Sequence, residues 1–344
     1  MDVRTFGRPW PAHPSFHPSI VWRNGDLQTL RNTLFPPYAD LETVPVQRLV
    51  LDLDDGSGDR LAAELNPRPA RKGHPPAPLV VILHGLTGNA HSRHVKASAA
   101  HLWARGFSVL RLNLRGAGAS ARICADLYHA GRSDDLAAAL RALPRDLTRG
   151  GLYLLGYSLG GNMMLKFLGE NHDTPPVAAA AAVSAPLDLS AAQATLAKRR
   201  NRFYQNYLLK RMKREALGGG VRLGDDERQA IREARSVRDY DDRFVAPRNG
   251  FDGAADYYAR CSSGRYLDTI TTRTLLVHAM DDPWIPADVY QDRPWSPDGP
   301  LTHLLSDRGG HVGFHDHDSR VAWHDRCVSA FFLERGTPHG NPPS

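Results

Sequence analysis

The sequence has few cysteines and no long hydrophobic run. Its three cysteines, Cys124, Cys261 and Cys327, lie far apart in 344 residues, which predicts neither a disulfide framework nor a zinc site. The longest uninterrupted apolar run covers residues 177–183, far below the roughly 20 residues that span a bilayer. Pro, Arg and His interrupt residues 1–22, so we expect no signal peptide and predict a cytoplasmic protein.

The composition also excludes several classes of protein. With 42% hydrophobic and 23% charged residues, the chain is neither disordered nor fibrous. The net charge of +6 permits weak attraction to nucleic acid or anionic lipid but does not by itself indicate a function, and we predict no nucleic-acid partner. The sequence sets no oligomeric state.

Short β-branched or leucine-rich runs alternate with helical patterns along the chain. Continuous hydrophobic runs, such as residues 79–83, are typical of strands that are buried on both faces. The alternation predicts an α/β fold with a mostly parallel sheet of about eight strands flanked by helices. Strands are expected at 47–53, 61–65, 79–83, 107–112, 152–155, 178–183, 274–277 and 301–305, and helices at 92–105, 133–143, 159–169 and 319–333.

One long segment interrupts this alternation. Residues 188–266 contain no strand pattern, which indicates a helical cap inserted above the carboxyl edge of the sheet, where such folds bind ligands. We therefore expect an N-terminal arm at 1–45, a core at 46–187 and 267–336, and a flexible tail at 337–344.

Gly156-Tyr157-Ser158-Leu159-Gly160 is a G-x-S-x-G sequence between a predicted strand and a predicted helix. In this context the motif indicates a nucleophilic serine on a sharp turn. Gly156 and Gly160 suit the tight turn because a Cβ there would collide with neighbouring backbone.

A serine nucleophile needs a base, and the base needs an acid that orients it. In folds with this motif the acid and then the histidine follow the serine along the chain. His311 follows the run at 301–305, and Asp281 and Asp282 follow the run at 274–277. We favour Asp282 as the acid because its loop resembles family loops of this kind, which usually end acid-x-x-x-Pro, and Pro286 lies four residues beyond it. Asp281 stays open as the alternative.

His84-Gly85-Leu86 follows the buried run at 79–83. Loops at this position supply part of an oxyanion hole, together with the N–H of the residue after the nucleophile. We predict the backbone amides of Leu86 and Leu159 as donors, with His84 and Gly85 in supporting roles.

These motifs together resemble the α/β-hydrolase superfamily, and further segments are similar to its YheT-like branch. Those segments include Leu27-Gln28-Thr29 with Phe35-Pro36-Pro37, Asn113-Leu114-Arg115-Gly116, Leu127-Tyr128-His129-Ala130-Gly131 and Gly310-His311-Val312-Gly313-Phe314. Asp26 stands where the family usually has His. The resemblance implies an α/β-hydrolase fold with carboxylic ester hydrolysis.

The predicted reaction is acyl transfer through a Ser158, His311 and Asp282 triad and an acyl-enzyme. It acts on a small-molecule ester with short to medium acyl chains, and it needs no metal or organic cofactor. Two alternatives remain open: an acyltransferase that forms esters from the same acyl-enzyme, and a non-catalytic protein that binds lipids or anions.

Two further segments have competing interpretations. Residues 198–214 carry eight basic residues and no acid, which suits a weak contact with an anionic surface or simply a solvated helix face. His315-Asp316-His317-Asp318 resembles a set of metal ligands, but we interpret it as the capped start of the last helix and predict no metal site.

Overall fold

The computed structural model describes residues 3–18, 20–34, 41–69, 73, 75–170 and 172–334. The predicted tail at 337–344 and the Phe35-Pro36-Pro37 motif lie outside these residues. Within them the chain forms one sheet of nine strands in the order β1-β9-β8-β7-β6-β4-β5-β3-β2. The strands are β1 (Val3–Gly7), β2 (Gln47–Asp52), β3 (Arg60–Asn66), β4 (Leu79–Leu83), β5 (Ser108–Leu112), β6 (Leu152–Tyr157), β7 (Val177–Val183), β8 (Thr274–Ala279) and β9 (Leu301–Ser306).

The six strands β9, β8, β7, β6, β4 and β5 pair in parallel, whereas β1, β3 and β2 join antiparallel at the two ends of the sheet. This confirms the predicted mostly parallel α/β sheet. The strand that the sequence did not predict is β1, which comes from the predicted arm and pairs with β9. Its sequence VRTFG shows little hydrophobic character because this edge strand is only partly buried.

Helices cover both faces of the sheet. They are α1 (Gly25–Leu34), α2 (Arg93–Ala104), α3 (Ser133–Arg141), α4 (Arg145–Thr148), α5 (Leu159–Gly169), α6 (Leu189–Leu196), α7 (Arg202–Gly218), α8 (Asp225–Glu233), α9 (Val237–Tyr240), α10 (Ala246–Arg248), α11 (Ala254–Cys261), α12 (Asp288–Gln291) and α13 (Trp323–Leu333). None of these helices combines the length and the hydropathy needed to span a bilayer, as far as the described residues extend.

The inner strand β4 shows why a continuous hydrophobic run is required. Successive side chains of a strand point to opposite faces. Accordingly, Val80 and Ile82 pack with α2 and α13 on one face, whereas Leu79, Val81 and Leu83 pack with α3 and α5 on the other. All five side chains are buried, so a polar residue at any of them would lack solvent on either face.

The segment 188–266 contains α6 to α11 and no strand, and every one of its residues is described. Its helices have an apolar cluster of their own, which includes Tyr204, Leu208, Ile231 and Phe244. The segment leaves the sheet after β7 and returns before β8. It therefore departs from the carboxyl end of one strand of the parallel sheet, and the side chains of Ser158 and His311 lie at the same edge.

Candidate active site

Ser158 lies on the turn between β6 and α5, with a backbone conformation of φ +50° and ψ −121°. This region is unfavourable for residues with a side chain, and the packing around the turn maintains it. A Cβ on Gly156 would lie 2.6 Å from the Cα of Gly161, and one on Gly160 would lie 2.3 Å from the carbonyl oxygen of His84. The two glycines thus allow the turn to bring Ser158 to the sheet edge.

The structure brings Ser158 together with the predicted histidine. His311 lies on the loop after β9, and its Nε2 is 3.0 Å from the Ser158 Oγ. Its Nδ1 is 2.9 Å from Oδ2 of Asp282, on the loop after β8. Both distances are those of hydrogen bonds, so the three side chains form one continuous chain of contacts at the carboxyl edge of the sheet.

Asp282 and Asp281 have different surroundings. Asp282 Oδ1 accepts hydrogen bonds from the backbone N–H groups of Trp284 and Ile285, while Oδ2 faces His311. Burial acts to raise the pKa of Asp282, but the His311 imidazole and these hydrogen bonds hold that pKa below its ordinary value. The carboxylate is therefore charged at neutral pH, as needed to orient an imidazole.

Asp281 supports the histidine loop instead. Its Oδ1 accepts a hydrogen bond from the backbone N–H of Gly310, at 2.8 Å. Burial raises the pKa of Asp281 to about 6. Within the described parts of the chain, Asp282 is the one of the two adjacent acids that makes a hydrogen bond with the His311 ring.

The loop after β4 carries one of the two candidate oxyanion donors, Leu86, whereas the other, Leu159, is the first residue of α5. His84 is fully buried, and burial lowers its pKa to about 4, so the ring is neutral at pH 7. Its Nε2 accepts a hydrogen bond from the Leu114 N–H, and its Nδ1 therefore donates to the Gly85 carbonyl at 2.8 Å. The Gly88 N–H also donates to that carbonyl.

These bonds orient the peptide between Gly85 and Leu86. In a trans peptide the N–H points away from the C=O, so the Leu86 N–H points away from His84 and Gly88. A Cβ on Gly85 would lie 3.1 Å from the Ser158 Cβ, which places this loop directly beside the nucleophile candidate. No backbone carbonyl in the described parts of the chain accepts a hydrogen bond from the N–H of Leu86 or Leu159.

A cavity of about 620 Å³ opens between the helices of segment 188–266, which we call the cap, and the sheet edge, and Ser158 and His311 line it. Most of its walls are apolar, and they come from the cap helices α6 and α7 and from the loops after β4, β8 and β9. Lining residues include Leu189, Leu196, Leu208, Met212, Trp284 and Ile285. A cavity of this size and lining has room for a small apolar ligand next to Ser158.

Residues near the N-terminus hold the His311 loop, a role that the sequence motifs did not reveal. The Thr29 Oγ1 accepts a hydrogen bond from the His311 N–H at 2.8 Å. The Gln28 amide binds both backbone groups of His315: Oε1 accepts from its N–H and Nε2 donates to its carbonyl. Leu27-Gln28-Thr29 gives no local sign of this role, because the partners of Gln28 are more than 280 residues away in the sequence.

Asp26 connects this arm to the cap. Its carboxylate accepts hydrogen bonds from Arg200, at 2.9 Å, and from the Tyr204 hydroxyl, at 3.0 Å.

Arg115 of the Asn-Leu-Arg-Gly motif makes contacts that stabilise the fold: it is buried and binds the carboxylates of Asp59 and Asp135.

The interpretation of residues 315–318 as a helix start is wrong, because α13 begins only at Trp323. Asp316 instead accepts a hydrogen bond from the Asp318 N–H and pairs with Arg326. The carboxylates of Asp316 and Asp318 lie near the His17 ring. His17 and Asp318 are exposed and bind each other, so this cluster has the contacts of surface ion pairs.

A sheet of this order, with a serine at a strand-to-helix turn and an acid and a histidine on later loops, is characteristic of α/β-hydrolases. The chain belongs to the α/β-hydrolase fold family, whose model matches residues 78–318. This confirms the fold class and the resemblance that the sequence motifs indicated.

Individual relatives agree with this family. The chain is 32% identical over 308 residues to the Escherichia coli (strain K12) protein named "Putative esterase YheT", a match that covers 87% of this chain and 86% of that one. It is 30% identical over 285 residues to a Saccharomyces cerevisiae protein named "Medium-chain fatty acid ethyl ester synthase/esterase 2", covering 75% of this chain and 62% of the yeast protein. This chain thus spans less than two thirds of that yeast protein.

Among solved structures, an esterase of Pyrococcus furiosus, Pf2001, superposes with a TM-score of 0.55 at 16% identity. The superposition covers 86% of this chain and 93% of the esterase. At this identity the likeness establishes the shared fold.

Proposed function

We propose that this chain is a serine carboxylic-ester hydrolase that acts on short- to medium-chain acyl esters. The observation that carries the proposal is the unbroken contact from Ser158 through His311 to Asp282 at the wall of an apolar cavity. The names of the relatives, which include esterases, support the same class of reaction.

In the proposed acylation step, the Ser158 Oγ attacks the ester carbonyl carbon while the His311 Nε2 accepts the serine proton. Asp282 holds the imidazole in the tautomer with hydrogen on Nδ1 and stabilises the imidazolium that forms. The backbone amides of Leu86 and Leu159 donate to the oxyanion of the tetrahedral intermediate. The imidazolium then gives its proton to the leaving alkoxide, and an acyl-enzyme and a free alcohol result.

In the deacylation step, His311 removes a proton from water, and the resulting hydroxide attacks the acyl carbonyl. Collapse of the second tetrahedral intermediate releases the carboxylic acid and returns the proton to the Ser158 Oγ. Every proton moves among the serine, the histidine, the alcohol and water, so the proposed mechanism requires no cofactor.

The experiment is hydrolysis of a p-nitrophenyl ester series from acetate to dodecanoate. We expect a rate that peaks at one chain length and is lost in Ser158→Ala, whereas Ser296→Ala, a change at an exposed serine, keeps the wild-type rate. Labelling of the wild type, but not of Ser158→Ala, by a fluorophosphonate probe would identify the nucleophile. Equal rates in the wild type and Ser158→Ala, or no rate in either, would reject the proposal.

Ester synthesis is the second candidate reaction, since an acyl-enzyme can be attacked by an alcohol in place of water. The relative named a synthase/esterase favours testing it. Adding ethanol to the assay with a medium-chain ester measures the partition: appearance of the ethyl ester supports acyl transfer, and appearance of the free acid alone supports hydrolysis. Binding without catalysis, the third interpretation, would give neither product and no probe labelling.

We also propose a weak contact of the cap with anionic surfaces. Phe203 and Tyr207 on α7 are exposed to 68% and 41%, beside the basic residues of segment 198–214. Vesicles that contain phosphatidylglycerol should retain the protein at low salt and release it at high salt, whereas phosphatidylcholine vesicles should not retain it. Equal retention by both vesicle types would contradict the charge-based contact. We propose no nucleic-acid partner, and the cytoplasmic location stays a prediction.

A further inference from the structure

Leu86 is followed in the chain by Thr87, whose two backbone hydrogen-bonding groups both have side-chain partners. Thr87 donates its backbone N–H to the Tyr128 hydroxyl at 2.6 Å. The Thr87 carbonyl accepts a hydrogen bond from an Arg211 guanidinium nitrogen at 2.7 Å. Both backbone groups of this one residue are therefore bound by side chains, and Thr87 itself is buried.

Both hydrogen bonds lead to a single helix of the cap. Arg211 belongs to α7, and the Tyr128 hydroxyl donates to Oε2 of Glu215, one turn later on the same helix, at 3.1 Å. Burial and the neighbouring Glu215 carboxylate raise the pKa of Tyr128 well above its ordinary value. The hydroxyl thus keeps its proton for Glu215 and accepts the Thr87 N–H with its oxygen.

We propose that Arg211, Tyr128 and Glu215 are positioning residues that hold the oxyanion turn in its catalytic conformation. We call these three side chains and their bonds to Thr87 the Thr87 clamp. The inference rests on the proposed function, because it assigns the clamp an effect on the oxyanion donor Leu86. It makes α7 part of the machinery that stabilises the transition state, in addition to its place in the cavity wall.

The backbone of the turn shows why a clamp is needed. Thr87 has φ +56°, a left-handed conformation that costs about 1 kcal/mol or more for a residue with a side chain. The turn relaxes unless its surroundings hold it. Rotation about the backbone bonds of Leu86 or Thr87 would move the Leu86 N–H. An oxyanion donor acts only within a narrow range of distance from the oxyanion.

The clamp can be separated from substrate binding. Arg211 lines the main cavity, so its replacement would alter both the Thr87 clamp and the cavity wall that contacts substrate. Tyr128 and Glu215 belong to the lining of a small adjoining cavity of about 40 Å³. Tyr128→Phe and Glu215→Ala therefore loosen the Thr87 N–H side of the clamp from outside the main cavity. Glu215→Gln keeps an acceptor for the Tyr128 hydroxyl and is the conservative rescue variant.

The first test measures amide hydrogen exchange of the peptide that covers residues 84–92. Tyr128→Phe removes the acceptor of the Thr87 N–H, so we expect exchange at this amide to rise by roughly tenfold or more. Tyr153→Phe is the matched control: Tyr153 lies on β6, and its ring contacts those of Phe107 and Phe332, away from the turn. Unchanged exchange in Tyr128→Phe would overturn the clamp, with or without any enzymatic activity.

The second test measures kinetics on a p-nitrophenyl ester and on the matching thionoester, whose sulfur accepts hydrogen bonds poorly. Tyr128→Phe should loosen the oxyanion turn and so lower kcat for the oxygen ester by roughly 10- to 100-fold, with KM unchanged. The thionoester rate should fall less, so the oxygen-to-sulfur rate ratio falls. Glu215→Gln should keep most of the wild-type ratio, and Tyr153→Phe all of it.

The outcomes separate the positioning role of the Thr87 clamp from the proposed esterase function. Faster exchange with an unchanged kcat and rate ratio would overturn the positioning role. A fall in both ester rates by the same factor, together with a lower thermal midpoint, would also overturn it in favour of general destabilisation. Absence of hydrolysis by the wild type would reject the proposed function, while the exchange measurement still decides whether the clamp holds the turn.

Discussion

The indole of Trp284 stacks on the imidazole of His311, with ring centres 4.2 Å apart and planes 28° from parallel. Trp284 follows Asp282 by two residues and donates its backbone N–H to the Asp282 carboxylate. The same short loop therefore holds the imidazole by its edge, through Asp282, and by its face, through Trp284.

Replacement of Trp284 by alanine should lower kcat by roughly tenfold, because the imidazole gains rotational freedom and loses its alignment with Ser158. Trp284→Phe keeps an aromatic face and should retain most of the rate. The measurement is kcat on p-nitrophenyl acetate, whose short acyl group makes little use of the cavity wall. Equal kcat for the alanine variant and the wild type would show that the stacking does not align His311.

The two adjacent acids should differ sharply in their effect on catalysis. Asp282→Asn removes the charge that orients His311, so kcat should fall by roughly 10³- to 10⁴-fold. Asp281→Asn keeps an acceptor for the Gly310 N–H and should change kcat by less than about tenfold. Steady-state kinetics of the two matched variants checks this, and a reversed order would assign the triad acid to Asp281.

The hydrogen bonds of Gln28 should matter for activity although this side chain does not reach Ser158. Gln28→Ala leaves the buried N–H and carbonyl of His315 without these partners, at a cost of about 1–3 kcal/mol, and loosens the loop of His311. We expect a lower kcat and a lower thermal midpoint. Gln229→Ala, a change at an exposed glutamine of α8, is the control. Wild-type values for Gln28→Ala would contradict this role of the arm.

Arg115 should be a determinant of stability rather than of catalysis. It is 1% exposed, and its guanidinium binds Asp59 and Asp135, which are also buried. Arg115→Met leaves these carboxylates without their counter-charge and should reduce the free energy of unfolding by about 3–5 kcal/mol. Arg149→Met breaks an exposed pair with Asp146 and should cost less than about 1 kcal/mol. Urea unfolding compares the two, and similar losses would argue against the buried network.

Stability should also depend on pH through Asp241 of the cap. Burial raises the pKa of Asp241 from 3.8 to about 7, although the Tyr258 hydroxyl donates to its carboxylate. The folded chain therefore binds this proton more tightly than the unfolded chain, so stability falls as the pH rises from about 4 to about 7. Asp241→Asn lacks this titration.

Between pH 5 and pH 8 the wild type should lose more free energy of unfolding than Asp241→Asn, by on the order of 2 kcal/mol. Urea unfolding at both pH values measures the difference, and Asp252→Asn, a change at an exposed aspartate of the cap, is the control. The same pH dependence in Asp241→Asn and the wild type would show that Asp241 is not the titrating group.

Local patterns predicted the elements that carry the candidate site. Gly156 and Gly160 around Ser158 indicated the sharp turn, and the hydrophobic runs before Asp282 and His311 placed both on loops at the same sheet edge. These features are readable because each depends on neighbouring residues in the chain. The edge strand Val3–Gly7 was missed because only pairing with β9, nearly 300 residues away, makes it a strand.

The amino-acid sequence by itself determined the α/β fold, the parallel sheet and the order of serine, acid and histidine, since strand periodicity and glycine turns are local properties. Tertiary structure alone decided which adjacent acid faces His311, how Gln28 and Thr29 hold its loop, and how α7 reaches Thr87. Those contacts join residues that are distant in the chain, and only the packing of the folded protein brings their hydrogen-bonding groups within 3 Å or so of each other.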